Sequence, residues 1–536
     1  MKDQWYHTAI LYSLDLETYM DGDGDGIGDF VGLTSKLDHL SGLGINCIWL
    51  RPFFPSPLVD DGYDVKDYFT IDPRFGNPGD FVDFIIKSRA LGIRVIIDLV
   101  INHTSNQHEW FLKSRSDKNS RYRDYYIWKE EITEEDQEEN KLGDGGIWNW
   151  DDKAGAYYMH HFLKEQPDLN ISNPEVRKEI KKIMGFWLQL GVSGFRIDAA
   201  HIIVHESKDE LFVFLDDMRE FVDRRNHEAV LLAEANVESE VLHKFFGKQS
   251  QGRMHLLFNF YTNKNMFLAL TREDAAPLRE SLVKTQKING QWVNFLRSHD
   301  ELNLEMLSDD ERDEVFAAYA PDEDMRIFGH GIRRRLPPML EGNRKKMELI
   351  YTLMFSLPGL PLINYGEEIA MGDDLSQEGR ESVRTVMQWN DQENAGFSST
   401  PESEFAHALI DSGKYDYKKL NVSMQQKDPG SFLNWMERLI STRKHCPQLS
   451  FGECSLLDND CGSVLSFCNQ WESEAIVILI NLKSETCKVK VDTGKFNFGS
   501  LSELFSNEDY EPVKNIKKEI DLTAFGYRWF KSDIKK

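Results

Sequence analysis

Eight short apolar segments of β-strand type recur along the chain, and helix-length amphipathic stretches separate them. The segments read TAILYSL, INCIWL, IRVIIDLV, SGFRID, EAVLLAE, MHLLFNF, VNFLRS and PLINY. Strands that alternate with helices are typical of parallel βαβ units, and eight such units in one chain fit a closed barrel better than an open doubly wound sheet. We therefore predict an α/β fold, a (β/α)8 TIM barrel.

The spacing of these segments predicts one insertion and one appended domain. About ninety residues separate the third segment from the fourth, far more than one helix needs, so we place an inserted subdomain B at residues 104–166, after strand 3. From residue 446 the pattern changes to period two without intervening helices, which is typical of an antiparallel β-domain. The predicted organisation is a barrel at residues 1–103 and 167–445, followed by a C-terminal β-sandwich at 446–536.

Composition argues against several classes of protein. The chain has 63 Lys and Arg against 89 Asp and Glu, a formal net charge of −26, which disfavours nucleic acid and acidic lipid as partners. We find neither a signal-peptide pattern nor a run of about 18 apolar residues, so we expect a soluble, cytoplasmic protein without membrane contact. The six cysteines form no C-x-x-C pair, which favours reduced thiols over a metal site. No phosphate-cradling glycine loop follows a strand, so we expect no organic cofactor, and the oligomeric state stays open.

Polar residues close several apolar segments, and in a barrel these strand ends form the active site. Asp198 ends SGFRID, Glu234 ends EAVLLAE, and Asp300 follows VNFLRSH. Arg196 lies on the same strand face as Asp198, where a guanidinium would keep the carboxylate ionised and suited to act as a nucleophile. Glu234 follows an aliphatic strand, where burial would raise its pKa and suit a general acid.

Two carboxyl groups, one charged and one neutral, on either side of a bond are the arrangement for glycoside hydrolysis. A separation of about 5–5.5 Å would indicate retention through a covalent intermediate. Each acid alone could instead cap a helix or pair with an arginine, but three at successive strand ends favour catalysis. His103 and His299 also close strands, where an imidazole could bind sugar hydroxyls or serve only as a buried structural group.

These strand ends resemble, in order and content, the motifs of the α-amylase family of glycoside hydrolases, from Trp5 to the β-domain. The motifs are Asp98-Leu-Val-Ile-Asn-His103, Gly194-Phe-Arg-Ile-Asp198, Leu232-Ala-Glu234-Ala-Asn and Ser298-His299-Asp300, supported by Gln166-Pro-Asp-Leu-Asn170 and Gly366-Glu-Glu-Ile. The resemblance implies Asp198 as nucleophile, Glu234 as acid/base and Asp300 as the third carboxylate, which binds and distorts the sugar. It implies that the sugar is held by Arg196, His103 and His299.

The resemblance also implies a pocket for one terminal glucose. Asp60 would bind its hydroxyls, Tyr63 would stack beneath its ring, and Arg384 would reach the same glucose. A pocket sealed around one terminal glucose is typical of exo-acting enzymes on short α-glucosides. We therefore expect a small α-glucoside such as maltose as the substrate.

An acidic loop, Asp21-Gly-Asp-Gly-Asp-Gly-Ile-Gly-Asp29, gathers carboxylates at alternate positions, which suits a hard cation such as calcium. The loop begins like an EF-hand, but Gly32 stands where the bidentate glutamate is required, so an EF-hand is rejected. A turn without an ion stays open as the alternative. In the α-amylase family this loop commonly binds one structural calcium, and the resemblance implies as ligands Asp21, Asp23, Asp25, the Ile27 carbonyl and Asp29.

Within the family, residues 301–306, 319–326 and 331–336 resemble trehalose synthases, the maltose α-glucosyl mutases, and the α-glucosidases similar to them. The chain departs from the mutases in a shorter loop between Asp198 and Glu234, and in Glu367 and Val386, which replace an aspartate and a proline. A mutase must exclude water while the released glucose turns, so a short loop favours hydrolysis. We predict a retaining α-glucosidase, with trehalose synthase as the alternative. A non-catalytic relative is a third reading, disfavoured because all three carboxylates are present.

Overall fold

The structure is a computed structural model that describes residues 4–133, 136, 145–203, 208–248, 251–285 and 288–534 of the 536-residue chain. Each predicted apolar segment overlaps one strand of a parallel barrel. In chain order the strands β1 to β8 are Leu11–Leu14, Cys47–Leu50, Arg94–Leu99, Gly194–Ile197, Val230–Ala233, Leu256–Phe258, Gln291–Asn294 and Leu360–Asn364. The barrel closes in the order β1-β8-β7-β6-β5-β4-β3-β2, which confirms the predicted fold class.

Helices fill the connections between the barrel strands, and α11 follows the last strand, β8. In chain order, α1 to α11 are Phe30–Ser35, Leu37–Leu43, Pro78–Ala90, Pro174–Leu190, Lys208–Arg225, Ser239–Phe246, Phe260–Arg272, Ala276–Lys284, Asp309–Tyr319, Arg344–Ser356 and Phe432–Lys444. Helix α4 shows why they form: Asn173 caps its first turn, Pro174 occupies the first helical position, and Gly191 ends it in the left-handed conformation. Within the described part of the chain, none of the helices combines the length and the apolar character that a membrane span needs.

The chain groups into two compact units. The N-terminal unit comprises residues 14–38 and 47–257, and the C-terminal unit comprises residues 1–13, 39–46 and 258–536. The N-terminal unit contains β2 to β5 and subdomain B, whereas the C-terminal unit contains β7, β8 and the C-terminal sheet. The predicted domain boundaries stay a prediction.

Strand register in the N-terminal unit decides which polar side chains meet. Asp98 on β3 pairs with Arg196 on β4, and Ile197 on β4 pairs with Ala233 on β5. One residue further along both strands are Asp198 and Glu234, and the Glu234 amide donates to the Ile197 carbonyl at 3.0 Å. Because the strand side chains are buried, the acids that follow the strands are the groups that reach the open end of this sheet.

Subdomain B is a small aromatic-rich unit around a three-stranded antiparallel sheet of Trp128–Lys129, Ala156–Met159 and Trp148–Asp151. Phe111 stacks on Trp128 with ring centroids 5.6 Å apart. An isolated bridge joins His103 to Asp168. These contacts anchor the end of the insertion, and with it Gln166, beside the carboxyl end of β3.

The C-terminal sheet has five antiparallel strands, in the order β9-β10-β11-β13-β12. The bounds of β9 to β13 are Glu453–Leu456, Val464–Trp471, Glu474–Asn481, Ser502–Ser506 and Tyr527–Asp533. Val477 and Leu479 of β11 belong to a buried cluster with Val489 and Ile520 of a smaller strand pair. All six cysteines of the chain are free thiols, and Cys468 lies in this core.

Candidate active site

Arg196 on β4 is the centre of the site in the N-terminal unit. Its Nη1 donates to Asp98 Oδ1 at 2.6 Å and to Asp198 Oδ1 at 2.5 Å, and its Nη2 donates to Glu234 Oε2. Burial alone would lower the pKa of Arg196, but the carboxylates, Asp98 foremost, raise it well above its usual value. A permanent cation therefore faces Asp198, as a nucleophilic carboxylate requires.

Asp98 holds this arginine in place. It is fully buried, and Trp49 Nε1 donates to its Oδ2 at 2.9 Å. Burial raises the pKa of Asp98 to about 6, although Arg196 and Trp49 act in the opposite direction. Asp98 is therefore a positioning residue for Arg196, a role that the sequence motif alone did not reveal.

The Glu234 side chain is not surrounded by aliphatic groups, although the aliphatic strand before it had suggested burial. The side chain is 26% exposed and forms an ion pair with Arg196, because the strand register places it beside the neighbouring guanidinium. Its carbonyl accepts from the Ala200 amide at 2.8 Å. Between the two acids, Ala199 has a φ of 42°, a left-handed conformation that a small residue tolerates better than a large one.

Gln166 connects two of the predicted sugar-binding residues. Its Nε2 donates to Asp60 Oδ2 at 2.7 Å and lies 3.1 Å from His103 Nε2. The same His103 nitrogen lies 3.2 Å from the Tyr63 carbonyl, and the Tyr63 hydroxyl lies 3.4 Å from Arg196 Nη1. Burial lowers the pKa of His103, which favours a neutral imidazole. The N-terminal unit thus brings together Asp198, Glu234, Arg196, Tyr63, His103 and Asp60.

A tight turn presents Asp60. Asp61 and Gly62 both have left-handed backbone, with φ of 45° and 91°. The buried Asp64 carboxylate accepts from the amides of Val59 at 3.0 Å and Asp60 at 3.2 Å. The turn is therefore fixed by a side chain of its own segment.

Asp300 lies in the C-terminal unit, in contact with three charged or titratable neighbours. Its Oδ1 lies 3.2 Å from Arg380 Nη1 and 3.4 Å from Arg384 Nη2, and its Oδ2 lies 3.3 Å from His299 Nε2. Arg384 Nε also donates to the His299 carbonyl at 3.4 Å. The three predicted residues of this unit come together, and Arg380, for which no motif indicated a role, joins them.

Glu381 keeps Arg384 in position. Its Oε1 accepts from Arg384 Nη1 and its Oε2 lies beside His407 Nδ1, both at 3.0 Å. Burial would raise the pKa of Glu381, but the contacts with His407 and Arg384 outweigh it and lower the pKa to about 2. A permanent anion therefore holds Arg384 against Asp300.

The acidic loop gathers three carboxylates. One oxygen from each of the carboxylates of Asp21, Asp23 and Asp29 lies within 4.8 Å of the other two, and the Asp25 carboxylate is not in this group. The Ile27 carbonyl stays a prediction as a ligand. Burial and the surrounding aspartates raise the pKa of Asp23. Backbone amides already bind the outer pair, since Gly26 donates to Asp21 and Gly32 to Asp29. The cluster is a set of hard oxygen donors that repel one another, which fits a divalent cation.

The family profile of the α-amylase catalytic domain matches residues 16–452. The chain belongs to the α-amylase family. A second profile, that of the maltogenic amylase C-terminal domain, matches residues 455–529. This α-amylase-family protein is a glycoside hydrolase or transglucosidase, as its sequence predicted.

Similar proteins carry several enzyme names. A trehalose synthase of Pimelobacter sp. (strain R48) is 36% identical over 551 residues, which cover 98% of this chain and 96% of that protein. An oligo-1,6-glucosidase of Parageobacillus thermoglucosidasius is 28% identical and covers 99% of both chains. The crystal structure of an α-amylase from H. orenii superposes with a TM-score of 0.79 at 29% identity, covering 98% of this chain and 99% of that one.

Proposed function

We propose that this enzyme converts maltose into trehalose by intramolecular transglucosylation. The observation that carries the proposal is the 36% identity to a trehalose synthase along 98% of the chain, against 28% for an oligo-1,6-glucosidase. These identities favour isomerisation over the hydrolysis that the short loop indicated. The Arg196 centre supplies the chemistry that both reactions share.

The first step forms a glucosyl ester. The Asp198 carboxylate attacks the anomeric carbon of the terminal glucose, the bond from that carbon to the bridging oxygen breaks, and Glu234 gives its proton to that oxygen. Both acids contact the same guanidinium, which keeps them close together, and a separation of about 5–5.5 Å is what retention through a covalent intermediate requires. Substrate must replace the contact between Glu234 and Arg196 so that Glu234 can reach the bridging oxygen.

The second step decides the product. The released glucose turns, and its anomeric hydroxyl attacks the glucosyl ester while Glu234 takes the proton, which yields trehalose and restores Asp198. Two inversions at the same carbon retain the α configuration. The step needs glucose to be held while water is kept away.

Hydrolysis is the second candidate, and the segment after Asp198 favours it. Residues 199–203 turn back at once, with Ile202 donating to the Ala199 carbonyl at 3.0 Å. Residues 204–207 lie outside the described residues, and α5 begins at Lys208. The chain from Asp198 to Glu234 is shorter than the mutase pattern predicts, and a short loop favours attack on the ester by water in place of glucose.

A labelling experiment separates the two reactions. Unlabelled maltose is incubated with the enzyme in excess 13C-glucose, and the products are resolved by NMR. We expect trehalose with both rings unlabelled, because the released glucose does not leave. Half-labelled trehalose would indicate transfer to external glucose, and glucose without trehalose would contradict the proposal and support hydrolysis. The matched control is Asp198→Asn, which should form none of these products.

We also propose that calcium binds the acidic loop through Asp21, Asp23 and Asp29. Its contribution there is structural: it neutralises the repulsion among the three carboxylates and stabilises the turn before α1. Addition of calcium to chelator-treated protein should raise the melting temperature, and Asp23→Asn should reduce that rise. An equal rise in the variant would contradict the assignment.

A further inference from the structure

Asp168, in the N-terminal unit, is a fully buried carboxylate that accepts hydrogen bonds on both of its oxygens. Its Oδ2 contacts His161 Nδ1, and its Oδ1 accepts from Asn102 Nδ2 at 3.0 Å and from the His161 amide at 3.3 Å. An ionised carboxylate accepts hydrogen bonds but does not donate them, so the amide nitrogen of Asn102, and not its oxygen, faces Asp168. Asp168 thus fixes the orientation of the Asn102 amide.

Backbone hydrogen bonds hold the two segments against each other. The Leu169 amide donates to the Asn102 carbonyl at 2.8 Å, and the Thr104 amide donates to the Pro167 carbonyl at 3.2 Å. These bonds flank Asp168 on one segment and follow Asn102 on the other. The contact between the two side chains is therefore supported by the backbone and does not depend on the side chains alone.

The same Asn102 amide faces the His103 ring. Asn102 Nδ2 lies 3.3 Å from His103 Nδ1, and an amide nitrogen can only donate in this contact, so Nδ1 accepts. On the other side of the ring, Nε2 lies 3.2 Å from the Tyr63 carbonyl, which can only accept. Burial lowers the pKa of His103, which favours a neutral imidazole with a single N–H group. Both contacts place that proton on Nε2.

One contact favours the other tautomer. Gln166 Nε2 lies 3.1 Å from His103 Nε2, and it could donate to that nitrogen only if the proton were on Nδ1. That tautomer would satisfy Gln166 but would lose the contacts with Asn102 and with the Tyr63 carbonyl. Because the contacts of the ring oppose one another, the orientation of Asn102 decides between the two tautomers.

We infer that Asp168 is a positioning residue that sets the tautomer of His103, with the proton on Nε2, through the orientation of Asn102. The Nε2 side of the ring faces Tyr63 and Gln166, and Gln166 in turn donates to Asp60. An N–H group on this side can donate to a sugar oxygen, whereas a bare nitrogen could only accept. The inference rests on the proposed function, in which His103 helps to hold the transferred glucose, but its first test needs no substrate.

The tautomer is measured on the unliganded protein. Histidine labelled with 15N at Nδ1 is incorporated, and solid-state NMR records the ring nitrogens, because their chemical shifts separate a protonated nitrogen from an unprotonated one. The signal that disappears in His103→Asn belongs to residue 103. We expect an unprotonated Nδ1 in the unmodified protein. A protonated Nδ1 would overturn the inference without any variant of Asp168.

In Asp168→Asn the proton should move to Nδ1 of His103. The new side chain can turn its oxygen to His161 and its amide nitrogen to Asn102, so the Asn102 amide can reverse. Asn102 Oδ1, which is buried without a hydrogen-bond partner among the residues that the structure describes, then gains donors, and Gln166 can donate to Nε2. If Asp168 had only a structural role, the tautomer would not change, and that result would overturn the inference.

Asn102→Ala tests the same link independently, in case Asp168→Asn does not fold. It removes the donor to Nδ1, so the nearest polar group of this chain of contacts on that side is the Asp168 carboxylate, which accepts. The proton of His103 should again move to Nδ1. An unprotonated Nδ1 in this variant would contradict the role of Asn102 and overturn the inference.

A double-mutant cycle connects the tautomer to activity. Asp168→Asn should lower kcat/KM for maltose about tenfold in the unmodified enzyme, the effect of one lost hydrogen bond. It should have little effect in His103→Asn, because the ring through which Asp168 acts is then absent. Equal losses with and without His103 would overturn the inference.

The matched control is Asp151→Asn, which removes another buried carboxylate of the N-terminal unit, paired with Arg115 at 2.8 Å. It should leave the tautomer of His103 unchanged and have the same effect on kcat/KM in both backgrounds. A change of tautomer in this control would show that any lost carboxylate has this effect and would overturn the inference. An unmodified protein that does not turn over maltose would instead overturn the proposed function, while the NMR result still decides the role of Asp168.

Discussion

The two units hold their carboxylates in different ways. In the N-terminal unit, one buried arginine on a barrel strand binds Asp98, Asp198 and Glu234 at once. In the C-terminal unit, Asp300 alone is shared by two arginines, Arg380 and Arg384, from the segment 379–384. In the first case one guanidinium contacts several carboxylates, and in the second case two guanidinium groups contact the same carboxylate.

This difference predicts unequal tolerance to mutation. Where one guanidinium contacts three carboxylates, its loss changes all three at once, and the effects act as a unit. Where two guanidinium groups share one acid, each can partly replace the other. The predictions below test that contrast.

The largest effect is expected for Arg196→Lys. An ammonium group cannot reproduce the planar, forked geometry that contacts three acids, so kcat/KM for maltose should fall roughly a thousandfold. Steady-state kinetics measure the loss, and the melting temperature shows whether the variant is folded. A folded variant within tenfold of the unmodified enzyme would contradict the single-cation description.

Removal of the buried Asp98 carboxylate should lower activity less than Arg196→Lys does, and it should also change the pH dependence of activity. Asp98→Asn keeps the shape of the side chain but removes the negative charge that Arg196 contacts, so kcat/KM should fall about thirtyfold. In the unmodified enzyme, Asp98 takes up a proton as the pH falls through about 6, which weakens its contact with Arg196 and lowers activity on the acid side.

The pH profile of kcat/KM between pH 5 and 8 checks this assignment. The Asn variant should lack the fall centred near pH 6, because residue 98 no longer titrates. Glu367→Gln, which leaves Asp98 intact, serves as the control and should retain the fall. Persistence of the same acid limb in Asp98→Asn would show that another group causes it.

Arg384→Lys should have a still smaller effect, because Arg380 continues to bind Asp300. We expect kcat/KM for maltose to fall about tenfold, and Arg380→Lys to behave similarly. The double variant should lose more than the product of the two single effects, because each arginine compensates for the other. Simple additivity in this double-mutant cycle would argue against a shared role.

Sequence reasoning located the residues that follow barrel strands, and physics explains why. Short apolar segments that alternate with helix-length stretches identify the strands, and the active site of a parallel barrel forms at their carboxyl ends. Asp198, Glu234 and Asp300 could therefore be found without coordinates. Arg380 was missed because it lies in a 3-10 turn, whose course depends on contacts distant in sequence, such as the one that Arg333 donates to the Leu375 carbonyl.

A further comparison concerns one buried carboxyl group in each unit. Asp98 is bonded directly to a guanidinium, and its pKa rises only to about 6. Burial raises the pKa of Glu367, in the C-terminal unit, to about 8, although the Asn364 amide and Arg335 act in the opposite direction. The direct ion pair of Asp98 offsets more of the burial penalty, so the two groups should affect stability over different pH ranges.

The smallest predicted effect is a decrease in stability between pH 7 and 9, caused by the titration of Glu367. The unfolded chain is ionised at this position throughout that range, while the folded chain loses its proton near pH 8, so stability falls as the pH rises. Urea titration should show this group lowering the free energy of unfolding by about 1.4 kcal/mol from pH 7 to 9. In Glu367→Gln the decrease should be smaller by that amount, because glutamine does not titrate. Equal slopes for the two proteins would mean that Glu367 is ionised in the folded state at neutral pH.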